Sequence, residues 1–334
     1  MFRSGLVIPA HPLALTADRR LDERRQRALS RYYLEAGAGG IAVAVHTTQF
    51  KIHDPAGGLL PAVLALAADT ATEYHDRPTV LVAGLAGPTE QAVAEAELAA
   101  SLGYELALLS PYGTDGLDQQ GLIERAGAVG EVLPVIGFYL QPAVGGRRLP
   151  RDFWRRLGEI ESVVGIKVAP FDRYATRDVI LGIRESGRAD KIALYTGNDD
   201  NIVGDLIADH DGQAFVGGLL GQWAVWTRNA VEVLGLARLA RAGDDQALRK
   251  LITIDGPLTD ANAAIFDARN GFRGSVPGIH EVLRRQGLLE GIWCLDDDES
   301  LGPGQLAEID RIWAAYPELR DDDFIAEHRD RWLS

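Results

Sequence analysis

Residues 162–171 read SVVGIKVAPF, a run in which a single lysine interrupts otherwise apolar side chains. Hydrophobicity that is continuous, not alternating with polar residues, marks a strand covered on both faces, as in a parallel sheet layered with helices. Seven further stretches read the same way: GLVIP (5–9), GIAVAVH (40–46), TVLVAG (79–84), ELALLS (105–110), LPVIGFY (133–139), KIALYT (191–196) and QAFVGG (213–218). Segments of helical period separate them. DERRQRALSRYYLEAG (22–37) ends on glycine, as a helix C-terminus does. PTEQAVAEAELAASLG (88–103) opens on proline and Thr89, repeats apolar residues every three or four positions and closes on Gly103. Eight such units predict a closed (β/α)8 barrel. The competing fold, a doubly wound open sheet, would carry a glycine-rich dinucleotide fingerprint after its first strand, where this chain has PAHPLAL.

From about residue 222 the pattern is helical to the end: AVWTRNAVEVLGLARLARAG, DQALRKLITID, GIHEVLRRQGLL and PGQLAEIDRIWAAY. The expected division is a barrel over residues 1–240 and a C-terminal helical extension over 241–334, packed on the barrel. The formal charge of −14 argues against a nucleic-acid partner, which needs a basic surface. The N-terminal apolar stretch is broken by two prolines and a histidine, and no apolar run is long enough to span a bilayer. The one cysteine, Cys294, suits a reducing compartment. The expectation is a soluble, cytoplasmic protein without membrane or nucleic-acid partners.

In a barrel of this kind the reacting groups sit where strands end and loops begin. Polar residues at those places are His11, then His46, Thr47 and Thr48, then Ser110 and Tyr112, then Tyr139, Lys167, Asn198, Asp199 and Asp200; Gly217 and Gly218 end the last strand. Lys167 is the sharpest candidate. The chain holds 34 basic residues, of which only Lys51, Lys167, Lys191 and Lys250 are lysines, so arginine serves wherever plain positive charge is needed. A buried ammonium tends to lose its proton, and the free amine is a nucleophile that forms imines with ketones. The alternative is a lysine that snorkels to solvent or pairs with a carboxylate. Tyr139, ending the neighbouring strand, is placed to relay protons to a carbinolamine; the alternative is a core tyrosine. His11, His53, His75, His210, His280 and His328 show no metal-ligand spacing, and DDDES (296–300) and DDD (321–323) read as solvated turns.

Beyond single residues, VVGIKVA resembles the imine-forming strand of the dihydrodipicolinate synthase and N-acetylneuraminate lyase family, and LPVIGFYLQPAVGG is similar to that family's fifth strand with its Tyr-Asn-x-Pro stretch. GLVIPAHPLALTADRRLD, GPTEQAVAEAELAASLGYELALLSPY, TGNDD and VPGIHEVLRRQGLL agree in order and spacing, so the resemblance covers nearly the whole chain. It implies a lyase or aldolase in which Lys167 forms an imine with a pyruvate-type 2-oxo acid, Tyr139 relays protons, and no metal or organic cofactor takes part. It also implies a homo-oligomer, dimer or tetramer. A dehydratase of a deoxy-keto sugar acid, using the same lysine, and a non-catalytic keto-acid-binding barrel are the alternatives.

Three departures bear on the substrate. VHTTQF (45–50) stands where the family has Gly-Thr-Thr-Gly-Glu. A shift of one residue would put Thr47 and Thr48 on the hydroxyl positions of the carboxylate pocket. The ungapped register, favoured because a slip would flip side chains across the wall, puts His46 and Thr47 there, with Thr48 and Gln49 in place of Gly-Glu. His46 would then replace a hydroxyl of the proton relay. PYGTD (111–115) keeps Tyr112 but has Gly113 where a second tyrosine would reach a partner subunit. Val144 occupies the position of the synthase's substrate-binding arginine, with Arg147 and Arg148 the nearest arginines. These departures argue against the lysine-biosynthetic synthase and point to a sugar-acid-like substrate, with Asp199 and Asp200 as partners for its hydroxyls. The alternative for that acidic pair is helix capping.

Overall fold

The computed structural model describes residues 1–54, 56–74, 77–210 and 212–334; His75 of the histidine set lies outside them. Strands and helices alternate along the first three quarters of the chain: β1 (Val7–Pro9), α1 (Glu23–Ala36), β2 (Gly40–Val43), α2 (Leu59–Thr72), β3 (Val80–Leu85), α3 (Thr89–Ser101), β4 (Leu106–Leu109), α4 (Gln119–Gly130), β5 (Val135–Leu140), α5 (Arg151–Gly158), β6 (Val163–Ala169), α6 (Arg173–Glu185), β7 (Ala193–Thr196), α7 (Ile202–Ile207), β8 (Phe215–Leu220) and α8 (Thr227–Arg241). All seven strand pairings are parallel, in the order β1-β8-β7-β6-β5-β4-β3-β2. The remaining seam is closed by a parallel bridge between Ala10 and Ala42, so the sheet is a (β/α)8 barrel.

Local signals behave as the chemistry requires. Asp22 caps α1 by accepting a hydrogen bond from Arg25 N–H, and Gly37 ends that helix in the left-handed conformation at φ 100°. Each strand sends alternate side chains inward and outward. The barrel interior is filled by Ile8, Ala42, Val82, Leu108, Ile136, Phe138, Ala193 and Leu219, while Val7, Ile41, Leu81, Tyr139, Ile166 and Val168 pack beneath the helices. The bottom is plugged by Phe2, which stacks on Tyr195 with ring centres 4.5 Å apart. Gly165, inside the VVGIKV strand, makes room for that plug: a Cβ there would meet the Phe2 ring at 2.8 Å.

Four helices follow α8: α9 (Asp245–Ile265), α10 (Ser275–Arg285), α11 (Gln305–Ala315) and α12 (Asp322–Trp332). α9 lies against α7 and α8, α10 and α11 stack on α9, and α12 returns to α1. One expectation fails here. Asp321, the first residue of the supposedly solvated DDD, is buried and accepts hydrogen bonds from Tyr32 Oη (2.7 Å), Arg228 N–H (3.1 Å) and Gln286 Nε2 (3.1 Å). It ties α12 to α1, α8 and α10, and such a carboxylate is tolerated in the interior because its oxygens are paired. Among the described residues no helix is long and apolar enough to cross a membrane.

Candidate active site

At the C-terminal mouth of the barrel lies a pocket with about 500 Å³ of empty space, open mouth included, lined from β5, β6 and the loops after β2, β6, β7 and β8, and from the segment joining α9 to α10. Lys167 projects into it from β6 and is only 5% exposed. Its neighbours in register are Phe138 on β5 and Tyr195 on β7. The lysine Nζ stands 4.3 Å from the centre of the Phe138 ring. Gly197, just past β7, accommodates its stem, since a Cβ there would meet Lys167 Cε at 2.8 Å. Burial lowers the Lys167 pKa to about 8, although the neighbouring Asp199 carboxylate opposes the shift.

Asp199 is the second charged group of the pocket. It is buried, its Oδ1 accepts a hydrogen bond from Gln222 N–H (2.9 Å), and its backbone carbonyl accepts one from Asn262 Nδ2 (2.7 Å). Burial raises its pKa to about 7, against the opposing pull of the Gln222 amide and of Lys167. A lysine and a carboxylate displaced toward each other near neutrality form an acid–base pair that shares protons. His46 also lines the pocket. Burial and the nearby Lys167 charge lower its pKa to about 4, so at neutral pH it is a neutral ring with one donor and one acceptor nitrogen.

Several other expected residues are elsewhere. Tyr139 is one step along β5 from Phe138 and therefore faces outward. It packs on Trp154 of α5 at a ring distance of 5.0 Å, and its hydroxyl accepts from Leu149 N–H at 3.4 Å. It is a core tyrosine whose pKa burial pushes up, and Phe138 holds the place beside the lysine. Thr47 lines the pocket, but its hydroxyl donates to the Ala10 carbonyl (2.7 Å). Thr48 is not part of the lining; its hydroxyl donates to His11 O (2.6 Å) and accepts from Val45 N–H (3.1 Å), closing the turn that carries His46. Asp200 is exposed and outside the pocket lining, so Asp199 and Asp200 do not face the pocket as a pair.

Gly217 and Gly218 are also displaced from the expected role, because β8 runs on to Leu220. Both serve packing: a Cβ on Gly217 would meet the Leu6 backbone at 2.3 Å, and one on Gly218 the Trp223 ring at 2.6 Å. Gly221 is the residue of this segment that reaches the pocket. Gly113, in place of a tyrosine, sits at φ 72° and lies against Gly87, whose N–H donates to Tyr112 O (2.9 Å). His11 is a buried structural residue between Ser30 Oγ (2.9 Å), Gln26 and Pro12.

The strand-2 loop is held by a second layer that sequence reasoning passed over. Ala44 and Gln49 bracket it at φ 63° and 70°. The ring of His53 contacts Ala44 O (2.9 Å) and Glu95 Oε2 (3.0 Å), and Gln49 Oε1 accepts from Leu295 N–H (2.6 Å). Asn198 does the equivalent work on the opposite side. Its Oδ1 accepts from Phe171 N–H (3.2 Å), and its Nδ2 donates to Asp205 Oδ2 (2.9 Å) and Thr176 Oγ1 (3.2 Å). The residues wholly missed are aromatic: Phe138, Phe171, Phe266 and Phe272 all line the pocket. Only Phe138 and Phe171, inside the quoted LPVIGFY and SVVGIKVAPF, had a visible signal.

Fold and site together define a (β/α)8 barrel with a C-terminal helical extension, whose mouth holds one buried lysine beside one buried aspartate. Solved structures share that architecture over nearly the full chain. YagE, a prophage protein belonging to the dihydrodipicolinic acid synthase family from E. coli K12, in complex with pyruvate, has a TM-score of 0.77 at 19% identity, covering 94% of this chain and 97% of that one. CdNal from Clostridium difficile in complex with mannosamine has a TM-score of 0.75 at 15% identity, covering 93% and 99%. N-acetylneuraminate lyase from Fusobacterium nucleatum gives 0.74 at 15%, covering 95% and 99%. No protein-family model matches the sequence, and no curated protein matches it. At these identities the likeness is one of fold.

Proposed function

We propose that this chain is a lyase of the class I aldolase type, a divergent member of the dihydrodipicolinate synthase and N-acetylneuraminate lyase family, acting on a pyruvate-type 2-oxo acid through an imine on Lys167. The observation that carries the reading is the buried Lys167, held at a pKa of about 8 in the barrel mouth beside Asp199 at about 7. The resemblance of VVGIKVA to an imine-forming strand supports it independently.

The chemistry follows from those two groups. The free amine of Lys167 attacks C2 of the 2-oxo acid, and protonated Asp199 supplies the proton with which the carbinolamine hydroxyl leaves as water. The resulting carboxylate of Asp199 accepts a proton from C3, leaving an enamine whose carbon attacks an aldehyde; in the reverse direction the same group reprotonates C3 after cleavage. The 2-oxo acid carboxylate meets the turn at His46 and Thr47, whose backbone N–H groups open a 3₁₀ turn and find no acceptor within it. No metal or organic cofactor is called for, and the working assembly is a homo-oligomer, dimer or tetramer.

The test is chemical trapping. Incubation with pyruvate and borohydride should add one reduced pyruvate to the intact mass of the wild-type chain and none to Lys167→Ala. An unmodified wild type would end the imine reading. A trapped adduct with no turnover on any aldehyde would make the chain a keto-acid-binding barrel.

A further inference from the structure

Four phenylalanines, drawn from four separate parts of the chain, line the pocket that holds Lys167. Phe138 comes from β5, Phe171 from the loop after β6, Phe266 from the end of α9 and Phe272 from the turn before α10. Phe171 and Phe272 pack edge to face, with ring centres 5.5 Å apart. Both lie in the left-handed region, at φ 52° and 67°. For a bulky residue with a Cβ this is strained, and such strain persists only where surrounding contacts enforce it. Those contacts are present. Asn198 accepts from Phe171 N–H, while the hydroxyl of Ser275 donates to the Phe272 carbonyl. The backbone is thus held in an unfavourable conformation at two places, and each time the result is a phenyl ring at the pocket.

Of the polar side chains that line the pocket, Thr47, Ser275 and Asp199 are engaged within the protein, which leaves His46 and Gln141 to meet a substrate hydroxyl. The Thr47 hydroxyl is committed to Ala10 O and the Ser275 hydroxyl to backbone carbonyls. Asp199 already accepts from Gln222 N–H and is needed beside the lysine. No arginine lines the pocket among the described residues. A site that selects hydroxyl-bearing substrates must offer partners to each hydroxyl, since unpaired buried polar groups are costly. Aromatic walls instead reward aromatic area, through burial and edge-to-face contact.

We infer that the carbonyl partner of the lysine-bound 2-oxo acid is an aryl aldehyde. The inference rests on the imine reading above and names the substrate class of the same site. Enamine C3 attacks the aldehyde carbon and forms the new C–C bond, and the aldehyde oxygen takes the proton that Asp199 received from C3. Water then hydrolyses the imine, releasing a 4-aryl-4-hydroxy-2-oxo acid and the free lysine; cleavage runs the same steps backward.

The experiment measures kcat/KM for pyruvate with benzaldehyde and with glyceraldehyde on the full chain, alongside borohydride trapping with pyruvate alone. A preference for benzaldehyde of at least tenfold is expected. Equal or better turnover of glyceraldehyde, with the pyruvate adduct still trapped, would overturn the aryl assignment alone; no adduct would overturn both readings. Phe171→Gly suits the left-handed backbone and removes the ring, so it should fold and lower the benzaldehyde-to-glyceraldehyde ratio at least fivefold. Phe272→Gly tests the same ratio from the other strained position. An unchanged ratio in both folded variants would show that the rings serve packing only.

Discussion

Replacing Asp199 by asparagine should change the shape of the pH dependence of imine formation, and the change can be worked out from the two displaced pKa values. Near pH 7.5 a lysine at the ordinary value of 10.5 is a free amine in roughly 0.1% of molecules, whereas one at about 8 is free in roughly 24%, a gain of about 240-fold in nucleophile. The free-amine fraction therefore rises with pH through about 8. On the proposed mechanism Asp199 carries the proton that expels the carbinolamine hydroxyl, and its protonated fraction falls as pH rises through about 7. The rate, the product of the two, climbs up to about 7 and falls beyond about 8. The reactive arrangement, amine free and carboxyl protonated, is then a minor form of a pair that shares one proton, and the wild-type profile is a narrow bell between those values. The asparagine amide cannot titrate, so the descending limb disappears. The lost carboxylate charge had raised the lysine pKa, so the one remaining limb ascends and reports the lysine alone, with a midpoint below about 8. Without its acid the plateau should be about 10²-fold or more below the wild-type maximum. Stopped-flow or rapid-quench borohydride trapping with pyruvate, from roughly pH 5.5 to 9.5, reads all three effects. A bell that survives in Asp199→Asn, or a single ascending limb centred above about 8, would refute the assignment of the acid to Asp199.

Tyr139→Phe should leave the trapping rate within about twofold, because the phenol makes only a 3.4 Å contact with Leu149 N–H on the far side of β5; a loss of a hundredfold or more would restore the tyrosine as a proton relay. Gly197→Ala should lower the trapping rate at least tenfold and the stability by about 1–3 kcal/mol, since the added methyl meets the Lys167 stem and Ala169 at 2.8 Å; denaturant melts and the trapping rate check both, and wild-type values for either would contradict the packing described.

The barrel was legible because eight continuous apolar runs can be counted without knowing which way any side chain points. The site was less so for the same reason. A strand buried on both faces carries no polar alternation, so its sequence does not state which residues face inward. β5 shows the consequence. Its pairing with β6 shifts between Val135 and Ile136, and the register that follows sets Phe138, not Tyr139, opposite Lys167. The pair of glycines in QAFVGG resembled a strand end, yet β8 continues through two leucines, and the loop residue that reaches the pocket is Gly221. Asp199 was visible as a polar residue after a strand, but only burial distinguishes it from exposed Asp200. Phe266, Phe272 and Ser275 lie about 100 residues beyond Lys167 in a helical segment, and nothing local in the sequence ties them to it.

Lysine reactivity and substrate choice are consequently one property of this pocket. The Phe138 ring face, 4.3 Å from Nζ, favours the ammonium by cation–π attraction, and the Asp199 carboxylate favours it too. The pKa nevertheless falls to about 8, so the removal of water outweighs both attractions. The four phenylalanines that would hold an aryl group are among the walls of the same pocket. Opening the wall at Phe171 or Phe272 admits water to the ammonium, which raises the lysine pKa toward its ordinary value and thins the free amine at neutral pH. Loss of aryl preference and an upward move of the limb near pH 8, which the lysine sets, should therefore appear together in the same variants. If one moved without the other, the rings that select the substrate would not be those that desolvate the lysine.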